Sequence, residues 1–158
     1  MKLNKIQKYD LKIDKDFSYT LSQNGKRCTF TNPLTVSGVA KLYTVAQDKI
    51  LFYVGIAKQS MASRINGGLK AEGKNGYYGY KWKGIRSNLH LNVWTAEIDG
   101  KYISLNELEI IEAEVAYLCR QLSDNWPKHQ HEIHFHQSNS NHRELAKIIY
   151  DAATKYND

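Results

Sequence analysis

Two strand-forming runs joined by a very short polar turn constrain the fold of this chain more than any other feature. Residues 41–46 and 50–55 are rich in β-branched and aromatic side chains, and a polar triplet centred on Asp48 separates them. With Asp48 at the middle of the turn, the register predicts that Tyr43 lies directly opposite Tyr53. Directly opposed residues share one face of a sheet. The segment therefore predicts an antiparallel hairpin that presents a tyrosine pair, and simple packing of the two rings is the alternative.

Further strand and helix signals surround this hairpin. Asn24-Gly25 lies between two strand-like runs and predicts an N-terminal hairpin, and residues 89–98 alternate as a strand. Ser104 and Glu107 resemble a capping box that opens a helix running to about residue 122, and residues 141–144 open a second helix. The predicted fold class is α+β: a small central antiparallel or mixed β-sheet flanked by helices, with an extra N-terminal β-hairpin and a C-terminal helix.

Length and composition favour one cytoplasmic domain. The 158 residues fit a single domain, 1–158, and no segment has the composition of a linker. The first residues lack the apolar run of a signal peptide, and no segment is apolar over a length that would span a bilayer. Cys28 and Cys119 lie far apart and have no metal-binding spacing, so we expect free thiols in a reducing compartment.

The positive charge is concentrated in one glycine-rich segment. Residues 56–86 carry seven basic side chains and one acidic side chain, and this surplus of six equals the net charge of +6 of the whole chain. Glycine and aromatic residues alternate with the basic ones, a composition that suits a nucleic-acid backbone. The predicted nucleic-acid contacts are Lys58, Lys70, Lys74, Tyr78, Lys81, Lys83 and Arg86. A solvated mobile loop is the alternative.

One glutamate is placed unusually on the predicted helix that follows Ser104. At about 100° per residue, Glu112 falls among Leu108, Val115 and Cys119 on the apolar side. A carboxylate in such a position costs several kcal/mol unless it is paired or binds a metal. Glu112 is therefore a candidate ligand, and a glutamate at the edge of the apolar side that reaches solvent is the alternative.

A histidine-rich segment follows the same helix. The residues His129, His131, His134 and His136 would occupy alternate faces of a strand in pairs. A His-x-His pair can bind Zn²⁺ or another transition metal, so a metal-dependent enzyme centred on residues 129–136 is a rival interpretation. Hydrogen-bonding imidazoles near another site are the simpler one.

In their order and spacing these residues resemble the GIY-YIG nucleases. The family pattern is a Gly-Ile-Tyr strand, a Tyr-Ile-Gly strand one turn later, an arginine on the next helix, a glutamate on a later helix and a Pro-x-x-Asn. The matching segments here are Lys41-Leu42-Tyr43, Tyr53-Val54-Gly55, Arg64, Ile111-Glu112-Ala113-Glu114 and Pro127-Lys128-His129-Gln130. The resemblance predicts a nuclease core over residues 40–130, an N-terminal hairpin extension over 1–39, and a His-rich strand with a C-terminal helix over 131–158.

The chain departs from the family pattern at three places. Lys41 and Leu42 replace the first Gly and Ile, and Gln130 stands where Asn is usual. Many members carry a histidine or tyrosine soon after the arginine, whereas the residue four positions after Arg64 is Gly68. One of Tyr77, Tyr78 or Tyr80 can supply the missing group, and the sequence does not choose among them.

The resemblance implies metal-dependent hydrolysis of a phosphodiester by water. It makes Tyr43 the general base, Tyr53 the residue that orients water or phosphate, and Arg64 the clamp on the scissile phosphate. Glu112 would ligate one Mg²⁺ or Mn²⁺, because Mg²⁺ commonly takes one or two carboxylates plus phosphate and water. A free phenol has a pKa near 10, so ionising Tyr43 at neutral pH costs roughly 4 kcal/mol.

The family implies a restriction or other defence endonuclease as the biological role. The expected partner is nucleic acid, duplex DNA before RNA, and a homodimer would match a two-fold symmetric duplex site. A non-specific or structure-selective nuclease and a non-catalytic nucleic-acid-binding protein remain alternatives. A cleavage assay separates the nuclease from the binder, and metal titration separates it from the histidine-centred enzyme.

Overall fold

The computed structural model describes residues 1–4, 6–31 and 33–155, and within these ranges it confirms the α+β class. The strands are β1 (Lys2–Leu3), β2 (Gln7–Ile13), β3 (Tyr19–Gln23), β4 (Lys26–Cys28), β5 (Lys41–Gln47), β6 (Ile50–Ala57), β7 (Leu89–Trp94), β8 (Ala96–Ile98) and β9 (Lys101–Tyr102). The helices are α1 (Met61–Lys70), α2 (Leu105–Ser123) and α3 (Ser140–Thr154). No described helix is long and apolar enough to cross a membrane.

A six-stranded antiparallel sheet organises the molecule. Its strand order is β4-β3-β2-β7-β5-β6, and β1, β8 and β9 form a separate three-stranded sheet. The predicted N-terminal hairpin is confirmed as β3 and β4, because Asn24 and Gly25 both adopt the positive φ that a tight hairpin turn requires. Strand β2, which was not predicted, pairs with β7, so the N-terminal strands continue the sheet that carries the tyrosine hairpin.

The tyrosine hairpin forms, but the predicted direct pairing of Tyr43 with Tyr53 is wrong. Tyr43 pairs with Gly55, and Tyr53 pairs with Val45. Two local features produce the shift: the turn contains only Asp48 and Lys49, and a β-bulge leaves Phe52 without a direct partner. Because the register moves by two residues, Tyr43 and Tyr53 still project from the same face of the sheet.

The two faces of the sheet bury different cores. On one face, Tyr43 and Tyr53 pack with Ile65 of α1 and with Trp82 from the long loop before β7. The other face packs against α2 and α3 through residues such as Leu42, Val54, Ile111 and Ile149. Strands β5 and β6 therefore lie between α1 on one side and α2 on the other, and both helices can direct polar groups toward the hairpin.

Side-chain caps fix where the helices begin. Ser60 and Ser104 cap α1 and α2, each accepting a hydrogen bond from a backbone N–H three residues later, and the predicted start of α2 is confirmed. Helix α3 begins at Ser140, slightly before the predicted opening at 141–144, because Asn139 and His142 form a reciprocal capping box. The His142 ring also lies 2.7 Å from a Glu107 carboxylate oxygen and joins α3 to α2.

The predicted His-rich strand is wrong, because residues 131–139 form no regular secondary structure. Just before this segment, the backbone N–H groups of Lys128 and His129 donate to the carbonyls of Leu51 and Phe52 on β6. The N–H of Gln130 then bonds to the carbonyl of Pro127 and closes a turn. The Gln130 side chain, rather than its backbone, then makes the next bonds to β6.

Candidate active site

The tyrosine pair lies at the centre of the hairpin. Tyr43 is 0% exposed and Tyr53 is 5% exposed, and their ring centroids are 5.7 Å apart. Gly55 makes this approach possible: a Cβ at this position would lie 2.9 Å from each of the two phenolic oxygens. The glycine of the Tyr53-Val54-Gly55 motif is thus required by the packing of the two phenols.

Arg64 is aimed at this pair by the helix that directly follows β6. Its Nε donates a hydrogen bond of 3.0 Å to the Tyr43 hydroxyl. Among the described residues, no acceptor pairs with its two terminal Nη groups. Burial lowers the pKa of Arg64, but the phenolic oxygens of Tyr43 and Tyr80 outweigh burial and hold this pKa above its ordinary value. The guanidinium is therefore charged and oriented, and its two Nη groups can still donate hydrogen bonds to a ligand.

Tyr80 is the third tyrosine of the site. Its hydroxyl lies 2.9 Å from the Tyr43 hydroxyl and donates to the backbone carbonyl of Arg64 at 3.2 Å. Because a carbonyl can only accept, the single proton of Tyr80 is committed to that bond, and Tyr43 must donate to Tyr80. Arg64, Tyr43 and Tyr80 therefore form a closed ring of hydrogen bonds.

A glycine on α1 makes room for the Tyr80 ring. A Cβ on Gly68 would lie 2.0 Å from Tyr80 Cε2, so no other residue fits without displacing the ring. On its other side, Tyr80 stacks on Trp82 with centroids 4.3 Å apart. Tyr77 and Tyr78, which the sequence could not separate from Tyr80, are 45% and 71% exposed. The structure therefore places Tyr80, packed over Gly68, at the site.

Burial keeps the three phenols in their neutral form. It raises the pKa of Tyr43 well above the ordinary value, and it also raises the pKa values of Tyr53 and Tyr80. The charge of Arg64 opposes the increase at each phenol without cancelling it. At neutral pH the phenols therefore act as hydrogen-bonding groups in the free protein.

Glu112 adds a carboxylate from α2, and its charge influences Tyr53 and is influenced by Arg64. It is half-buried on α2, and burial raises its pKa from 4.5 to about 7, with a further contribution from Glu109. The charges of Arg64 and His134 act in the opposite direction. No hydrogen bond or ion pair joins Glu112 to another residue in the described part of the chain. The carboxylate thus bears a desolvation cost that its protein neighbours offset only in part.

The donor set at Glu112 fits a hard cation that keeps much of its water. Within the described ranges, no group of three or more His, Cys, Asp or Glu side chains could hold a metal ion. A complete protein cage is therefore absent there, which disfavours a structural Zn²⁺ site. Mg²⁺ needs only one or two carboxylates when phosphate and water complete its shell, so the single carboxylate of Glu112 is compatible with it.

Gln130 fixes the strand that carries Tyr53. Its side-chain amide donates to the carbonyl of Val54 and accepts from the N–H of Val54, both at 2.9 Å. These two bonds lie between the two outer residues of the Tyr53-Val54-Gly55 motif. Gln130 therefore holds the backbone of this motif in place.

Lys41 on β5 also binds the backbone. It is fully buried, and its ammonium donates to the carbonyls of Val36 and Gln59 at 2.7 and 2.8 Å. Burial lowers its pKa to about 8. The carbonyl of Gln59 directly precedes the Ser60 cap of α1, so Lys41 ties the start of the arginine helix to β5.

The four histidines of residues 129–136 divide into separate environments. His134 and His136 contact the two oxygens of the Glu109 carboxylate at 3.2 and 3.0 Å. His131 packs edge-on against Tyr53 with ring centroids 5.9 Å apart, and His129 packs against Phe52. The histidines therefore share no common centre, and His131 reaches the tyrosine site.

The basic segment contains both exposed lysines and cations bound to backbone carbonyls. Lys58, Lys70 and Lys74 are exposed at the surface. Lys83 instead donates to two loop carbonyls, those of Ala71 and Tyr78, and Lys81 reaches the Gln130 carbonyl at 3.4 Å. Arg86 donates to the carbonyl of Lys83 and lies over the Phe17 ring. The last three cations thus also hold the glycine-rich loop that delivers Tyr80.

Comparison with known proteins adds no identification. A scan against protein-family models, a search of curated proteins and a search of solved structures each returned no match.

Proposed function

We propose that this protein is a divalent-metal-dependent endonuclease that hydrolyses phosphodiester bonds in DNA. The observation that carries the proposal is the hydrogen-bonded cluster of Arg64, Tyr43 and Tyr80, which orients the arginine. Arg64 is held by Tyr43 while its Nη groups are unpaired among the described residues, and Glu112 is near enough for its charge to act on Tyr53. A phosphate diester needs a cationic clamp and a metal ligand, and these two residues supply both.

Each site residue has a separate task in this proposal. Arg64 binds the scissile phosphate through its outer edge, and its planar fork offsets the charge that develops there. Tyr43 is the candidate base, since its oxygen already lies next to the guanidinium that would bind the phosphate. Tyr53 orients the attacking water, and Tyr80 receives the hydrogen bond that fixes the Tyr43 hydroxyl.

Glu112 would hold Mg²⁺ or Mn²⁺. The ion would supply Lewis-acid stabilisation and a positive charge that lowers the cost of ionising Tyr43. This charge matters because burial raises the Tyr43 pKa in the free protein. Glu112 itself must be ionised to bind the ion, so metal affinity should rise as the pH passes about 7.

Restriction or another defence activity is the proposed biological role. The exposed lysines Lys58, Lys70 and Lys74 would contact the DNA backbone beside the site. The alternative of an enzyme centred on residues 129–136 is disfavoured, because His134 and His136 are occupied by Glu109. A DNA-binding protein without catalysis is the second candidate, since the three buried phenols are neutral in the free state.

The decisive test is cleavage of supercoiled plasmid DNA with Mg²⁺ and with EDTA. Tyr43→Phe removes one buried hydroxyl, and we expect it to lower the rate at least 100-fold, the usual scale for general-base catalysis. Tyr77→Phe is the matched control, because Tyr77 lies on the same loop surface and is 45% exposed. If Tyr43→Phe cleaved as fast as the parent, the Tyr43 hydroxyl would have no catalytic role, and packing would be the function of the tyrosine pair. Binding without any cleavage by the parent would favour the second candidate.

A further inference from the structure

An aromatic pocket lies beside the tyrosine site. It has a volume of about 350 Å³ and forms within the irregular segment that follows α2. The lining residues are Trp126, Pro127, Gln130, His131, Ile133 and Phe135. The Trp126 and Phe135 rings meet edge to face at 6.0 Å, yet they remain 46% and 58% exposed. Two large rings exposed together around a cavity are typical of a binding surface.

The pocket is held at a fixed place relative to the proposed catalytic residues. Gln130, which lines it, is bonded twice to the backbone of Val54, the neighbour of Tyr53. His131 forms another part of the wall and packs against the Tyr53 ring at 5.9 Å. A ligand in the pocket would therefore lie about one aromatic ring away from the tyrosine cluster.

The chemistry of the walls selects a flat aromatic ring attached to an anion. The lining residues include two aromatic side chains and an imidazole, and none of them is acidic. The ammonium of Lys81 reaches the Gln130 carbonyl, and the ammonium of Lys128 lies over the nearby Phe52 ring. A nucleobase stacks well on such rings, and its phosphates would meet these cations.

We propose that this pocket receives one unpaired nucleobase next to the scissile phosphate. This inference rests on the proposed nuclease function and narrows its substrate. A base in continuous duplex is already stacked, so only an unpaired or extruded base can enter. The preferred substrate would be DNA with a flap, bulge or single-stranded junction. Because the Gln130 amide is committed to Val54, the pocket would accept all four bases with little discrimination.

Binding measured in EDTA tests the pocket without cleavage. One probe is a DNA duplex with a single unpaired 2-aminopurine, and the other is the same duplex with this base paired. We expect the parent protein to bind the unpaired probe about tenfold more tightly and to quench its fluorescence. Trp126→Ala and Phe135→Ala should each weaken binding of the unpaired probe by about fivefold to tenfold, toward the affinity of the paired probe, and leave the paired probe unchanged.

Tyr102→Ala is the matched control, since Tyr102 is a similarly exposed ring on β9 at 47%. All these side chains are partly exposed, and thermal melting would confirm that the variants fold. Equal binding of both probes by the parent, or an unchanged preference in both pocket variants, would overturn the inference. Parallel cleavage with Mg²⁺ separates the two proposals: cleavage without a preference refutes only the pocket, and a preference without cleavage refutes only the nuclease.

Discussion

Replacing Glu112 with glutamine should stabilise the protein at high pH while it removes the proposed metal ligand. Burial raises the Glu112 pKa from 4.5 to about 7, so the folded state binds this proton more tightly than the unfolded state does. Stability is therefore lost as the pH rises between these two values and stays low above about 7. Glutamine carries no such charge and avoids the loss.

The magnitude follows from the same two pKa values. At about 1.36 kcal/mol for each pH unit between 4.5 and about 7, the full cost of ionising Glu112 is roughly 3.4 kcal/mol. Because the side chain is only half-buried, solvent reduces this figure, and we expect Glu112→Gln to gain about 1 to 2 kcal/mol at pH above about 7.5. The gain should vanish below about pH 4.

Urea unfolding at the two pH values measures this difference directly. Glu114→Gln, two residues along the same helix, is the control, and we expect it to change stability by less than about 0.5 kcal/mol. Mg²⁺ should raise the unfolding midpoint of the parent at high pH and leave that of Glu112→Gln unchanged, because a ligand stabilises only the state that binds it. This prediction would be refuted if Glu112→Gln lowered the free energy of unfolding at high pH, or changed it equally at both pH values. Either result would mean that burial does not raise the pKa of Glu112.

Three further predictions concern the remaining parts of the site. Arg64→Lys should lower plasmid cleavage at least about 100-fold despite the retained charge, because an ammonium lacks the planar fork; near-parental rates would remove Arg64 from the site. Gly68→Ala should displace the Tyr80 ring and cost about 1 to 3 kcal/mol in thermal or urea unfolding, and a neutral effect would show that the ring has another place. Replacing Lys70 and Lys74 with Gln should reduce the salt dependence of DNA binding by about 1.8 in log–log slope, whereas an unchanged slope would exclude phosphate contacts there.

Local signals in the sequence predicted the elements, and long-range contacts decided how they meet. The turn at Asn24-Gly25 and the Ser104 cap depend on neighbouring residues, and both are present in the structure. Strand β2 could also have been recognised, because Lys8 to Ile13 alternate between polar and apolar residues. The bulge at Phe52 could not be predicted from the sequence, because it depends on how β6 fits against β5 within the sheet.

The candidate site was predictable in part for the same reason. Tyr43, Tyr53 and Arg64 follow one another through short connections, so their order in the sequence sets their contact in space. Tyr80 could not be chosen over its neighbours by pattern, because the choice depends on which ring fits over Gly68. The segment of residues 131–139 was misread because alternation of histidines imitates a strand, whereas at Gln130 a side-chain amide rather than the backbone makes the next bonds to β6.

The close packing of Tyr80 over Gly68 has a consequence for how such a site can change during evolution. A tyrosine ring in this place and any side chain at position 68 exclude each other, because a Cβ there would lie 2.0 Å from the ring. A tyrosine at position 80 can therefore take this place only in a chain that already has glycine at position 68. The two positions form a coupled pair, and replacing either one alone would disturb both the packing and the third hydroxyl of the site.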